Sequence, residues 1–285
     1  MRFKFSILFA FLILNGASNA FAQEAAVTPK PETTPQAAKT ETGDKKAKKP
    51  NSKQAAEASK NATAEQIAEA TVYIYGGLGG RELLKQIRKS SIERGKISVV
   101  NVEGRTEQAS YQRLILRGDT LEKERIRFDQ EFPSAKYALV YNNDKIFGVF
   151  NDSVFTPRED AVKAFQNQIW HGLEAMLRYK ENGSTLALAE REKIMGVELI
   201  VLDVTDKQAR RTRFYISSKS FRVMMLEYTE DGVKMRRKFY DYNYAQGTLV
   251  PFRSVLYAGD KQVEETNIQT VSFGQKVEED AFKES

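Results

Sequence analysis

The last third of the chain leaves the least choice of fold. Between Ser184 and Phe273 the sequence runs through seven segments of strand character: 184–194, 197–205, 210–217, 221–229, 233–244, 249–258 and 262–273. They are joined by links as short as Met195-Gly196, Asp231-Gly232 and Gly259-Asp260. Two-residue links join antiparallel neighbours, because a parallel crossover needs roughly a dozen residues or more. No link in this stretch has room for a crossover helix. Strands paired in sequence order therefore build one strongly curved antiparallel sheet, which must be covered or closed.

Upstream, the ordered domain is expected from about Val72. The cluster Gly76-Gly77-Leu78-Gly79-Gly80 precedes Leu83, Leu84, Ile87 and Ile92, whose spacing predicts an amphipathic helix reaching Gly95. Strands are predicted at 96–103, 109–117, 124–132, 136–142 and 145–150, with turns at Arg117-Gly118-Asp119 and Asn142-Asn143-Asp144. A second helix is predicted from Pro157 to Lys180, ending before Asn182-Gly183. Val162, Phe165, Ile169, Leu173, Met176 and Leu177 make its apolar stripe. Asp160, Lys163, Asn167, His171, Glu174 and Arg178 make the opposite one, which places His171 in solvent and Trp170 at the flank. The fold class is α+β.

The N-terminus bears on compartment. Arg2 and Lys4 precede the apolar run Phe5 to Leu14, and Ala20-Phe21-Ala22 supplies small residues for cleavage, so residues 1–22 read as a signal peptide. The expectation is export, with cleavage near Ala22. Residues 23–70 are rich in Lys, Ala and Pro with almost no large apolar side chain, the composition of a disordered tether. The domain is then 71–285. Net charge is +6, but the signal segment contributes two basic residues and 23–63 eight Lys against five acids, leaving 34 basic and 33 acidic residues in 64–285. A nearly neutral folded part argues against a nucleic-acid partner. The absence of Cys removes disulfides and thiol chemistry, and a single His removes two-His metal sites.

Chemistry-bearing constellations are weak. Gly76–Gly80 lacks the order of a dinucleotide or phosphate loop, and reads better as a flexible helix entry. Arg117-Gly118-Asp119 reads as a connecting turn. Glu122 with Glu124, and Glu264 with Glu265, are pairs expected by chance in a chain that is 29% charged. Tyr240, Tyr242 and Tyr244 alternate along one strand, as a stacking platform or as a half-exposed face. No nucleophile, base and orienting group assemble, so an enzyme is not expected. Segments 197–204 and 221–228 are apolar on both faces, the latter with Phe221, Val223 and Met225 on one side and Met224, Leu226 and Tyr228 on the other. They are either the centre of a packed core or the wall of a ligand cavity.

The stretch Arg237 to Phe282 resembles the LolA-like proteins, the periplasmic carriers of outer-membrane lipoproteins and their relatives. The features that carry it are Tyr240-Asp241-Tyr242, Gly247 to Pro251-Phe252, the Gly259-Asp260 hairpin, Glu264-Glu265-Thr266 and Asp280-Ala281-Phe282, with Gly79-Gly80-Arg81-Glu82-Leu83-Leu84 upstream. The resemblance implies an incomplete β-barrel covered by helices, with an apolar concavity for acyl chains. It implies a non-enzymatic, monomeric carrier without cofactor or metal, whose partners are an acylated lipoprotein or lipid, an inner-membrane donor and an outer-membrane acceptor. Phe128, Trp170, Tyr215, Met225 and Tyr242 are the candidate cavity liners. The alternatives are a sensor or interaction module of the same fold that binds a protein, and an envelope-associated structural protein.

Overall fold

The computed structural model describes residues 61–101 and 103–284. The signal segment 1–22 and residues 23–60 of the tether lie outside the described residues. Among those described, no helix is long and apolar enough to cross a membrane.

Helix α1 spans Ala64–Gly76, earlier than the boundary at 70/71 expected from composition. Thr63 starts it with a capping box: its hydroxyl accepts from the Gln66 backbone N–H, and the Gln66 side-chain Oε1 accepts from the Thr63 N–H at 2.8 Å. Its first turns share the Ala and Glu content of the tether, and only the spacing of Ile67, Val72 and Tyr75, all buried, distinguishes them. Helix α2, Gly80–Ile87, follows a single tight turn at Gly77–Gly79. It stops well short of Gly95, because Ser90–Val100 is β1, a strand paired on both sides. The Ile and Val content of that segment suits a central strand better than a helix.

All strand pairings are antiparallel. The order across the sheet is β6-β5-β4-β3-β2-β1-β14-β13-β12-β11-β10-β9-β7, and β8 also pairs with β9. The ranges are β2 Thr106–Leu116, β3 Arg125–Glu131, β4 Lys136–Asn142, β5 Lys145–Phe150, β6 Ser153–Phe155, β7 Thr185–Leu188, β8 Glu192–Ile194, β9 Val197–Thr205, β10 Arg211–Ser217, β11 Val223–Glu230, β12 Val233–Ala245, β13 Thr248–Ala258 and β14 Lys261–Phe273. Two meanders, β1–β6 and β7–β14, are thus sewn together by the long-range pair β1–β14, and the sheet does not close.

The helix predicted over 157–180 is two helices, α3 Glu159–Trp170 and α4 Leu173–Leu177. Gly172, with ψ 179, resets the phase between them. The stripe expected in solvent is partly buried: His171, the residue just before the break, is 8% exposed and lies flat on Tyr228 at 4.2 Å. Glu174 and Arg178, expected in solvent with it, join buried ion pairs.

Both faces of the sheet are packed. The helix-covered face carries two apolar beds. One lies under α1 and α4 against β9–β13, with Tyr75, Met176, Leu202, Phe214 and Leu226. The other lies under α3 against β1–β4, with Ile97, Tyr111, Phe128 and Tyr141. On the opposite face, Phe282 covers β4 and β5, and Leu199, Val201, Tyr215 and Met225 form a separate cluster. Alternation in β11 departs from the sequence reading because a bulge at Met224 pairs Tyr215 with Met225 but Ile216 with Val223. Val223, Leu226 and Tyr228 therefore share one bed, with Met225 across the sheet. In β12, Asp241 adopts φ +53, and Phe239 and Tyr242 both reach the larger bed. Tyr240 instead lies beneath Arg253 at 4.3 Å, so the three tyrosines do not form one face.

Candidate ligand-binding site on the helix-covered face

The five positions singled out from the sequence fall in three places. Phe128 and Trp170 belong to the bed under α3, Tyr242 to the bed under α1, and Tyr215 with Met225 to the cluster on the far side of the sheet. Period-2 alternation assigns two faces to each strand; it does not say which face the helices cover. Tyr215 is further committed by its hydroxyl, which donates to the Glu227 carboxylate at 2.7 Å. Tyr242 donates to the Val223 carbonyl.

The bed under α3 is aromatic and fully covered. Phe128 on β3 is 2% exposed, with the Tyr111 ring 5.4 Å away and the Phe165 ring of α3 stacked at 6.2 Å. Phe165 and Ile169, one helical turn apart, press into the bed. The concavity implied by the resemblance is thus filled, in this conformation, by the protein's own covering helix.

What fastens α3 is polar. Arg113 on β2 lies over the Phe128 ring at 4.6 Å and donates to the Gln168 side-chain oxygen at 3.0 Å. The Gln168 amide donates onward to Glu264 on β14 at 3.3 Å. At the helix start Lys163 pairs with Asp231 at 2.5 Å, and at its end Arg210 stacks on Trp170 at 4.0 Å. Glu264 also accepts from Arg237 at 2.7 Å, and Arg113 lies 3.6 Å from Glu93. Burial pushes the Glu264 carboxyl up, but Arg237 beside it holds it below the usual carboxylate range. By strand order Glu264, on β14, stands between the two apolar beds. The sequence gives Arg113 and Glu264 away only through parity: they share the inward phase of Tyr111 and Thr266. That reading requires knowing that β1 pairs with β14.

A second polar knot ties α2 and α4 to the sheet. Arg88 donates to Glu174 at 2.9 Å and to the Leu249 carbonyl at 2.9 Å. Arg117 bridges Glu124 at 2.8 Å and Glu174 at 3.0 Å, and Arg178 pairs with Glu124. Burial opposes ionisation of Glu174, yet Arg117, Arg88 and Arg178 bring its carboxyl down to about 2. Arg117 is therefore an interior ion-pair residue, and Gly118-Asp119 is the connecting turn. A cleft of about 630 Å³ opens beside this knot, between α2 and α4. A smaller one of about 370 Å³ near Lys123 and Lys283 meets it at Gly118 and Asp119. Among the described residues no group of three or more His, Asp or Glu is placed to hold a metal ion.

No protein-family model and no curated protein sequence matches the chain. Solved structures do. A DUF1329 family protein from Desulfovibrio piger superposes with a TM-score of 0.56 at 11% identity, covering 77% of this chain and 97% of its own. A LolA superfamily protein from Nitrosomonas europaea gives 0.56 at 13% identity, covering 78% and 98%. A putative outer membrane lipoprotein-sorting protein domain from Vibrio parahaemolyticus gives 0.50 at 13%, covering 81% and 97%. Identities this low speak to architecture alone, and the wide antiparallel sheet with helices across one face is the LolA-like fold.

Proposed function

We propose that the protein is an exported, non-enzymatic carrier that takes up the acyl chains of a lipoprotein or lipid beneath α3. The observation that carries this reading is the construction of the cover. Helix α3 rests on an aromatic bed through few side chains, chiefly Phe165 and Ile169, and is fastened by polar contacts along its sides. It is joined to α4 through the extended Gly172. Lifting it exposes the Phe128 wall, and Trp170, the last residue of the helix, lies at the Gly172 end where the cover is joined to α4.

The magnitudes allow the exchange. Withdrawing two large apolar side chains costs about 3–6 kcal/mol, while burying a chain of about 16 carbons gains on the order of 12 kcal/mol gross. A carrier shifts cargo only by differences in affinity, so loading calls for a donor at the inner membrane and release for an acceptor at the outer one.

The experiment is native mass spectrometry of the protein recovered from its own cell envelope, paired with uptake of a fluorescent fatty acid by wild type and K163A/Q168A. The reading expects acylated mass on the protein and uptake about tenfold faster in the variant, which lacks two fasteners together worth about 1.4 kcal/mol. Bare protein in the envelope and no uptake by either form would overturn it.

A second reading, a module of the same fold that binds a protein, is favoured by one observation. Phe150, Val154 and Phe155 are exposed together on the free edge at β5 and β6. It expects a bound polypeptide and no lipid in the same spectra.

A further inference from the structure

We propose that the cleft between α2 and α4 is an anion site for a phosphate ester, separate from the acyl bed and independent of the carrier reading. The cleft holds about 630 Å³. Six cations line it, Arg81, Lys85, Arg88, Lys89, Arg117 and Arg178, against four acids, Glu82, Asp119, Glu174 and Glu181.

Structural ion pairing accounts for only part of this set. Arg81 is bound to Glu69 and Glu181, and Arg88, Arg117 and Arg178 to Glu124 and Glu174. Those pairs tie the helices to the sheet and would suffice for that purpose. Lys85 and Lys89 are exposed at the cleft and make no ion pair with any described residue, so their charge is left over. In addition, the buried Nε–H groups of Arg81, Arg88 and Arg117 have no hydrogen-bond acceptor among the described residues. A buried guanidinium normally satisfies its donors. These three groups are sealed from solvent behind the cleft lining, so they add positive potential there without themselves reaching a ligand.

The walls narrow the ligand class. Only Leu84 and Leu177 are aliphatic, and no aromatic side chain lines the cleft. It offers neither a stacking surface for a base or sugar nor room for an acyl chain in apolar surroundings. What it offers is a surplus of cationic side chains, six against four acids with Lys85 and Lys89 left unpaired, which suits the charge and several oxygens of a phosphate better than the two oxygens of a carboxylate. A soluble phosphate ester and the headgroup of an anionic phospholipid share that chemistry.

The test uses the full chain, with K85E/K89E against the charge-matched control K193E/K261E. Lys193, in the three-residue strand β8, and Lys261, at the start of β14, do not line the cleft and, like Lys85 and Lys89, are exposed, so both variants should unfold at the wild-type midpoint. One arm titrates glycerol 3-phosphate by calorimetry at low salt; the other measures sedimentation with phosphatidylglycerol vesicles against phosphatidylcholine vesicles. The proposal expects saturable binding in one arm, weakened about tenfold or more by K85E/K89E and less than twofold by the control. The arm that responds identifies the source of the phosphate. Absence of binding in both arms, or equal weakening by both variants, would overturn the site.

Discussion

The single histidine permits a sharp test of the packing around α3. His171 lies in the break between α3 and α4, stacked on Tyr228 with ring planes 3° apart and its Nδ1 2.6 Å from the Thr212 hydroxyl. Burial, with Arg210 nearby and opposed weakly by Asp206, lowers its pKa from 6.5 to about 4. A folded-state pKa below the unfolded one means that the unfolded chain takes up a proton the folded site refuses. Stability therefore falls as pH drops through about 6.5 and levels off below about 4. Linkage over these values gives a loss of about 2 kcal/mol between pH 7 and pH 5. Other groups titrate nearby: Glu230, pushed up by its burial, acts in the opposite direction, and Glu264, held below 4.5, acts only below that value. The difference between wild type and H171Q cancels them. Urea unfolding at pH 7, 6 and 5 should show wild type more stable than H171Q at pH 7, with that advantage shrinking by about 2 kcal/mol at pH 5. A constant difference across this range would refute the buried, neutral imidazole and restore a solvent-facing one.

Two further substitutions probe the polar knot and the sheet edge. Glu124 is 1% exposed between Arg117 and Arg178, so E124Q should cost about 3 kcal/mol in urea unfolding, since removing one partner leaves buried charge uncompensated. The exposed pair Arg105–Glu103 supplies the contrast, and E103Q should change stability by less than about 0.5 kcal/mol. At Gly148 an added Cβ would sit 2.2 Å from the Phe155 ring. Because that ring is half exposed on an edge strand it can swing outward, so G148A should cost less than about 1.5 kcal/mol; a loss above about 3 kcal/mol would mean the ring is fixed.

The C-terminal meander was the legible part of the fold, because two-residue links force sequential pairing and leave nothing to long-range chance. The strands predicted at 136–142 and 197–205 match β4 and β9 residue for residue. What failed was phase. Gly172, the Met224 bulge and the left-handed Asp241 each reset a periodicity that sequence reading carries forward unbroken. The bulge left Met225 across the sheet from Val223, Asp241 turned Tyr242 away from Tyr240, and beyond Gly172 the residues Glu174 and Arg178 enter buried ion pairs. The candidate positions Phe128 and Trp170 lie in one apolar bed because each belongs to an element without such a reset. Arg113, Gln168 and Glu264 were illegible for another reason. Their meeting depends on β1 pairing with β14 and on α3 crossing both, contacts between residues 55 and 96 positions apart.

The polar contacts of α3 bear on the proposed lifting of that helix. Buried ion pairs contribute little net stability, because the desolvation they suffer nearly matches their attraction. While α3 is seated, Glu264 is buried, and Arg113 and the helix's own Gln168 are only partly exposed. When it lifts, they regain hydration, which offsets much of the lost hydrogen bonding. An all-apolar seat would lack this compensation: every side chain withdrawn would cost its full transfer energy, and the cover would be part of the core. A helix anchored by Phe165 and Ile169 alone, with a polar belt beside them, is held by a few kcal/mol. That is the range in which an acyl chain can displace it, and in which the empty protein still keeps its aromatic bed out of water.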